Sequence, residues 1–365
     1  MVKKFVTTLV LFGVVSTLNA SPSVLPLEER ATVIDRLLMD RVKTILPKLM
    51  RRSSIDMWVI ISREYNEDPV IRTFLPATQH AARRTTILLI FDRGMEQPLE
   101  TLSVSRYPVG KIFSGAWNKE EDGDQWAHLG RLIADRNPQR IGVNYSEIYA
   151  LADGISHTEF DLLSKALPES LRGRLVSAES LAVGWLETRT AAEMQIYPHI
   201  VRIAHDILAE GLSEKVINPG ITATDDVVWW YRNRILELGL STWFHPSVSI
   251  DRADAPETSM SDWTLSRYGA DVIQPGDLLH VDFGISYLRL NTDTQQHAYV
   301  LKPGETDAPE DLKRALANGN RLQDILTSNI KVDRTGNEIL AMSLEQAKNE
   351  GITPSIYTHP IGYHG

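Results

Sequence analysis

Apolar residues at Leu27, Ala31, Ile34, Leu37, Leu38, Val42, Ile45 and Leu49 recur at helical spacing, which predicts one helix with a single apolar stripe. Short apolar runs at 57–61, 86–91 and 141–143 predict strands. Residues 126–134 and 160–167 predict helices, the second with Thr158 and Asp161 near its start as a cap. Strands alternating with helices predict an α/β domain. Around residues 181–189 the pattern changes. A long amphipathic helix is predicted over 190–213, interrupted in its first turns by Pro198. A Pro219-Gly220 turn and a start signal at Thr222 and Thr224 then predict a second helix through Leu238. The domain boundary is placed at residue 187, which divides the chain into 21–187 and 188–365.

The first twenty residues read differently. Lys3 and Lys4 precede an apolar run over 5–15 and a small-residue site at Leu18-Asn19-Ala20, the layout of a secretory signal. The run is shorter than the roughly 20 residues a bilayer span needs. An exported protein, periplasmic or extracellular, is therefore expected, with no membrane span after the signal is removed.

Composition narrows the chemistry. The 365 residues are 43% hydrophobic and 23% charged, an ordinary globular balance. Acidic residues outnumber basic ones, 47 to 38, for a net charge of −9. Nucleic acid is thus not an expected partner, because phosphate binding calls for a basic stripe. With no cysteine, thiolate nucleophiles and zinc-thiolate sites are excluded. The chain also lacks G-x-S-x-G, H-E-x-x-H, Walker A and G-x-G-x-x-G patterns.

Two stretches share a layout. Gly239-Leu-Ser-Thr-Trp-Phe-His245-Pro246 and Gly351-Ile-Thr-Pro-Ser-Ile-Tyr-Thr-His359-Pro360 each follow a predicted helix with a threonine start and acidic residues behind it. Those starts are Thr222 with Asp225 and Asp226, and Thr335 with Glu338. A fold of two related halves is expected.

The most informative stretch is Gln274-Pro-Gly-Asp-Leu-Leu-His-Val-Asp-Phe-Gly284, followed by Asn291-Thr-Asp-Thr-Gln-Gln-His-Ala-Tyr-Val300. A hairpin centred between Tyr287 and Leu288 would set Asp282 opposite Asp293. By alternation His280, Asp282, Gly284, Asp293, Gln295 and His297 then share one face, and Val281 and Phe283 take the other. Two carboxylates so close repel unless something positive lies between them. A divalent cation would answer that; a pair of solvated hairpin aspartates is the plainer alternative.

This pattern resembles the metal-binding hairpin of the M24 metallopeptidases, which include methionine aminopeptidase, Xaa-Pro aminopeptidase and Xaa-Pro dipeptidase. The resemblance spans 186–365 and implies the "pita-bread" fold, built of two related halves. It also implies two divalent metal ions, of Mn, Co, Fe or Zn, with Asp282 and Asp293 as bridging ligands. His359, in His359-Pro-Ile-Gly362, is the implied imidazole ligand, with His364 the alternative, as ligand or as a catalytic residue of the cleft. The histidine that family members carry upstream of the first aspartate has no counterpart in 262–269, and His245 is the candidate to replace it. The family's two glutamate ligands have no counterpart before Gly365. The chain therefore reads as a C-terminally truncated member, with little activity expected of these 365 residues.

Residues 27–181 resemble the creatinase-type N-terminal domain of the proline-directed members, best at Asp56-Met-Trp-Val-Ile-Ile-Ser-Arg63. The fold expected is thus α/β (α+β): a creatinase-like N-terminal α/β domain and an incomplete pita-bread domain. The function implied is metal-dependent removal of N-terminal residues from short Xaa-Pro peptides through a metal-activated bridging water, by a homodimer. The rival readings are a metal-free peptide- or protein-binding module and creatinase-like hydrolysis of a small C–N substrate.

Overall fold

The computed structural model describes residues 24–252 and 270–358. The expected signal over 1–20 and the segment 262–269 lie outside them, as do His359 and His364. The first helical stripe forms two helices, α1 (Leu27–Thr44) and α2 (Leu46–Arg52). Pro47 sits in the first turn of α2, where its missing N–H costs nothing, whereas inside one long helix it would break the ladder.

The chain continues through β1 (Met57–Arg63), α3 (Ile71–Phe74), β2 (Thr85–Phe91), β3 (Glu100–Ser103) and β4 (Ser114–Gly115). Next come α4 (Lys119–Asp122), α5 (Gln125–Arg136), β5 (Ile141–Val143), α6 (His157–Ala166), α7 (Glu169–Arg172), β6 (Leu175–Ser177) and α8 (Glu179–Glu187). The strands form one sheet in the order β4-β3-β2-β1-β5-β6, mixed in direction. β1 is buried on both faces, as a strand between helical layers must be. Trp58 and Ile60 pack with α1, α2, α3 and α8; Met57, Val59 and Ile61 pack with α5, α6 and α7. The start of α6 differs from expectation: Ser156, which precedes Thr158 by two residues, caps it in a reciprocal box with Glu159.

The second part begins with α9 (Ala191–Gly211), capped by a box between Thr190 and Glu193. Contrary to the sequence expectation, α9 runs through Pro198. Its buried stripe of Ile200, Ile203, Ala204, Ile207 and Leu208 holds the helix where local propensity would interrupt it. Then follow α10 (Thr224–Glu237), β7 (Ser247–Asp251), β8 (Leu278–Phe283), β9 (Ser286–Tyr287), β10 (Leu290–Asn291), β11 (Thr294–Tyr299), α11 (Glu310–Asn329) and α12 (Gly336–Asn349). β11, β8 and β7 form an antiparallel sheet in that order. Its apolar face, with Val248, Leu279, Val281 and Phe283, packs on α9 and α10. The two stretches of similar layout share a helix stop: Gly239 after α10 has φ 64° and Gly351 after α12 has φ 76°, both left-handed. Among the described residues, no helix is long and apolar enough to cross a membrane.

One buried ion pair ties the two parts together. Arg41 of α1 donates from Nη1 to both carboxylate oxygens of Glu193 at 3.0 Å and to Thr188 O at 2.8 Å. It also donates to Trp185 O and lies 4.4 Å over the Trp185 ring. Removing only the cation leaves Glu193 charged and buried. Arg41→Met is therefore expected to cost about 3–5 kcal/mol in urea unfolding. A loss under about 1 kcal/mol would show that this pair does not hold the parts together.

Candidate functional site

The hairpin that carries the two aspartates is tighter by design than its sequence suggests. Residues Leu288 and Arg289 make its two-residue turn, with φ of 56° and 63°. This is the primed geometry that suits hairpins, usually supplied by Asn-Gly or Asp-Gly. Tyr287 pairs with Leu290 and Ser286 with Asn291. The same register continues through Ile285 and Thr292, whose N–H donates to Ile285 O at 2.9 Å, into Phe283 opposite Thr294.

The register corrects one expectation. Asp282 stands opposite Gln295, not Asp293. The turn lies one residue later than the sequence placed it, which shifts every pairing by two. A shift of two preserves the face, whereas a shift of one would reverse it. Asp282 and Asp293 are therefore diagonal neighbours on one face, about 7–8 Å apart by backbone. Asp293 stands across from Gly284 in this register.

The shared face is polar along all three strands. Asp282 pairs with Ser247 and His280 with Ser249 on β7, while His280 faces His297 on β11. The rings of His280 and His297 lie 4.9 Å apart, and His280 Nε2 is 3.1 Å from Gln295 Oε1. Desolvation by its neighbours holds the His297 imidazole below its ordinary pKa, the facing His280 adds to this, and Asp251 opposes it. At the turn end, Trp243 and Phe244 close over Gly284. A Cβ there would meet Phe244 Cε1 and Thr292 O at 2.4 Å and Trp243 Nε1 at 2.8 Å. Trp243 Nε1 also donates to Thr292 O at 2.8 Å.

Among the contacts that support this hairpin from outside, those of Arg289 and Tyr197 have no signature in the sequence. Arg289 at the turn donates to Leu75 O at 2.7 Å and Pro76 O at 3.3 Å in the first part of the chain. Tyr197 of α9 donates its hydroxyl to Asn291 O. Burial raises the Tyr197 pKa, Arg189 opposes this, and the Asp293 carboxylate adds to it, so Tyr197 lies within reach of the Asp293 charge.

His245 lies elsewhere on the same part. It is exposed, with Nδ1 3.0 Å from Arg232 Nη1 and its ring 5.4 Å from Trp229, both on α10. The described contacts of His245 are thus with the helix layer. His359 and His364 lie outside the described residues. Among the described residues, no three His, Cys, Asp or Glu side chains come together to hold a metal. The donors that do share a face, two carboxylates on a rigid hairpin, fit the oxygen-rich part of a divalent-ion site.

The close approach at Gly284 gives a test of the hairpin's construction. Gly284→Ala forces a methyl group against a backbone carbonyl and two rings, an overpacking worth about 1–3 kcal/mol. The melting temperature is expected to fall accordingly. An unchanged value would mean that Trp243 and Phe244 do not close on the hairpin.

The Peptidase_M24 model, metallopeptidase family M24, matches residues 199–365. No curated protein matches the chain significantly. Among solved structures, the X-Pro aminopeptidase from Thermotoga maritima aligns with a TM-score of 0.57 at 16% identity, covering 83% of this chain and 78% of that one. The Xaa-Pro dipeptidase from Bacillus anthracis aligns at 0.53 and 15% identity, covering 89% and 78%. The prolidase from Pyrococcus horikoshii aligns at 0.51 and 14%, covering 88% and 78%. Identities this low speak to a shared fold.

Proposed function

We propose that the polar hairpin face is the catalytic face of a metal-dependent aminopeptidase acting on short Xaa-Pro peptides, a reading supported by the match of residues 199–365 to the model of metallopeptidase family M24. The observation that carries this reading is the single face shared by Asp282 and Asp293. Asp282 stands opposite Gln295, and the register carried from the turn puts Asp293 on the same face by parity. In this reading Asp282 and Asp293 hold two divalent ions, with His359 as the imidazole ligand. Ions held there would lower the pKa of a bound water and polarise the scissile carbonyl.

The remaining groups have roles in binding and proton handling. Trp243 and Phe244 wall the turn end of the face, which limits how far a peptide extends in that direction. Gln295, opposite Asp282, offers an amide to the peptide backbone. His364 and His245 are the candidates for proton transfer to the leaving amine. His245 would have to leave Arg232 and Trp229 to serve there. The 21–187 part is taken as the domain that covers the cleft and pairs two copies, and residues 1–20 as an export signal that would carry the enzyme outside the cytoplasm. Its anchor on the hairpin through Arg289 supports a role near the cleft.

A second reading rests on the two-carboxylate donor set among the described residues. In that reading the same face binds peptide or protein without metal. Mn2+ titration of the purified chain separates the two. Asp282→Asn and Asp293→Asn are each expected to weaken Mn2+ binding at least about tenfold, and any Mn2+-dependent hydrolysis of Xaa-Pro peptides should vanish with it. Mn2+ affinity unchanged in both variants, alongside metal-independent peptide binding, would replace the peptidase reading with the binding module.

A further inference from the structure

The polar face carries a second constellation that the two aspartates do not use. His280 and His297 stand directly opposite each other on β8 and β11. Their ring centres lie 4.9 Å apart, inclined at 42°. Gln295 Oε1 lies 3.1 Å from His280 Nε2, and Ser249 faces His280 from β7. Packing does not explain the pair, because Leu279, Val281 and Phe283 on the opposite face make the apolar core. His280 is only half-buried and His297 is exposed.

The spacing has a chemical meaning. An ion bound at about 2.1 Å from one nitrogen of each ring lies about 3 Å from each ring centre. A near-tetrahedral angle at that ion sets the two centres about 5 Å apart, close to the separation found. Antiparallel pairing fixes the two backbones, so only the side-chain torsions of the two histidines remain to be ordered on binding. The donors are also different in kind from those of the neighbouring pair. Imidazole nitrogens favour Cu2+, Ni2+ and Zn2+, while carboxylates favour Mg2+ and Mn2+.

We propose that His280 and His297 form a separate binding site for a borderline divalent cation such as Cu2+ or Zn2+, with the Gln295 carboxamide oxygen and water completing its coordination. The site lies two residues along β8 from Asp282, about 7 Å away by strand rise. It stands whether or not Asp282 and Asp293 hold ions of their own. A cation there would sit on the same face as the proposed peptide site, where it would obstruct peptide entry from the strand ends.

The test is Cu2+ binding to the full chain carrying Asp282→Asn and Asp293→Asn, which removes the neighbouring donors. Calorimetry is expected to give one Cu2+ per chain, and the electron paramagnetic resonance spectrum should show coupling to two imidazole nitrogens. Adding His297→Ala or His280→Ala should weaken binding at least tenfold and remove that two-nitrogen pattern. His297→Asn at the exposed position serves if the alanine variants fail to fold, judged by circular dichroism. Cu2+ affinity and spectrum unchanged by loss of either histidine would overturn the proposal, and so would loss of Cu2+ binding from the aspartate changes alone. In the chain with both aspartates intact, His297→Asn should leave Mn2+ binding unchanged, so failure here and failure of the peptidase reading give different results.

Discussion

The register of one hairpin sets everything at the candidate site. Strand alternation makes face a matter of parity, and the turn at Leu288 and Arg289 fixes that parity for β8 and β11 together. The turn is costly by itself. Left-handed backbone at two residues with side chains opposes folding by roughly 1–2 kcal/mol each. Burial of Leu288 and the two bonds from Arg289 to Leu75 O and Pro76 O offset that cost. The hairpin is therefore completed by a loop from the first part of the chain, more than 200 residues earlier.

The same dependence runs through α9. Arg41 of α1 fixes Glu193, and Glu193 in turn closes the start of α9 with Thr190. One turn further along, Tyr197 bonds Asn291 O, two residues before Asp293. A chain of short polar contacts thus connects the first helix to the aspartate face. The N-terminal part positions the site as well as flanking it.

Much of this was legible from pattern. The buried runs that become β1, β2 and β5, the long helix of α9 and the shared face of Asp282 and Asp293 all follow from periodicity. The errors have local causes. Pro47 divides a stripe whose apolar spacing is continuous, because spacing does not register a missing N–H. The start of α6 belongs to Ser156, whose partner Glu159 sits three residues on and is easily passed over beside Thr158. The turn lies one residue beyond its sequence-predicted place because Leu-Arg carries none of the glycine or asparagine that usually marks it. The face is unchanged because the pairing moves by two. The supports from Arg289 and Tyr197 were not legible, since each depends on contacts distant in sequence. For His245, sequence order gave proximity to β7 but not its attachment to α10.

The central claim is that the face shared by Asp282 and Asp293 is a place where divalent ions bind. Diffraction from crystals equilibrated with Mn2+, recorded at the manganese absorption edge, tests it most directly. The account predicts anomalous density between the two carboxylates, with manganese about 2–2.3 Å from an oxygen of each. Well-ordered carboxylates with no manganese between them would contradict it and leave the pair as two solvated aspartates on a polar sheet.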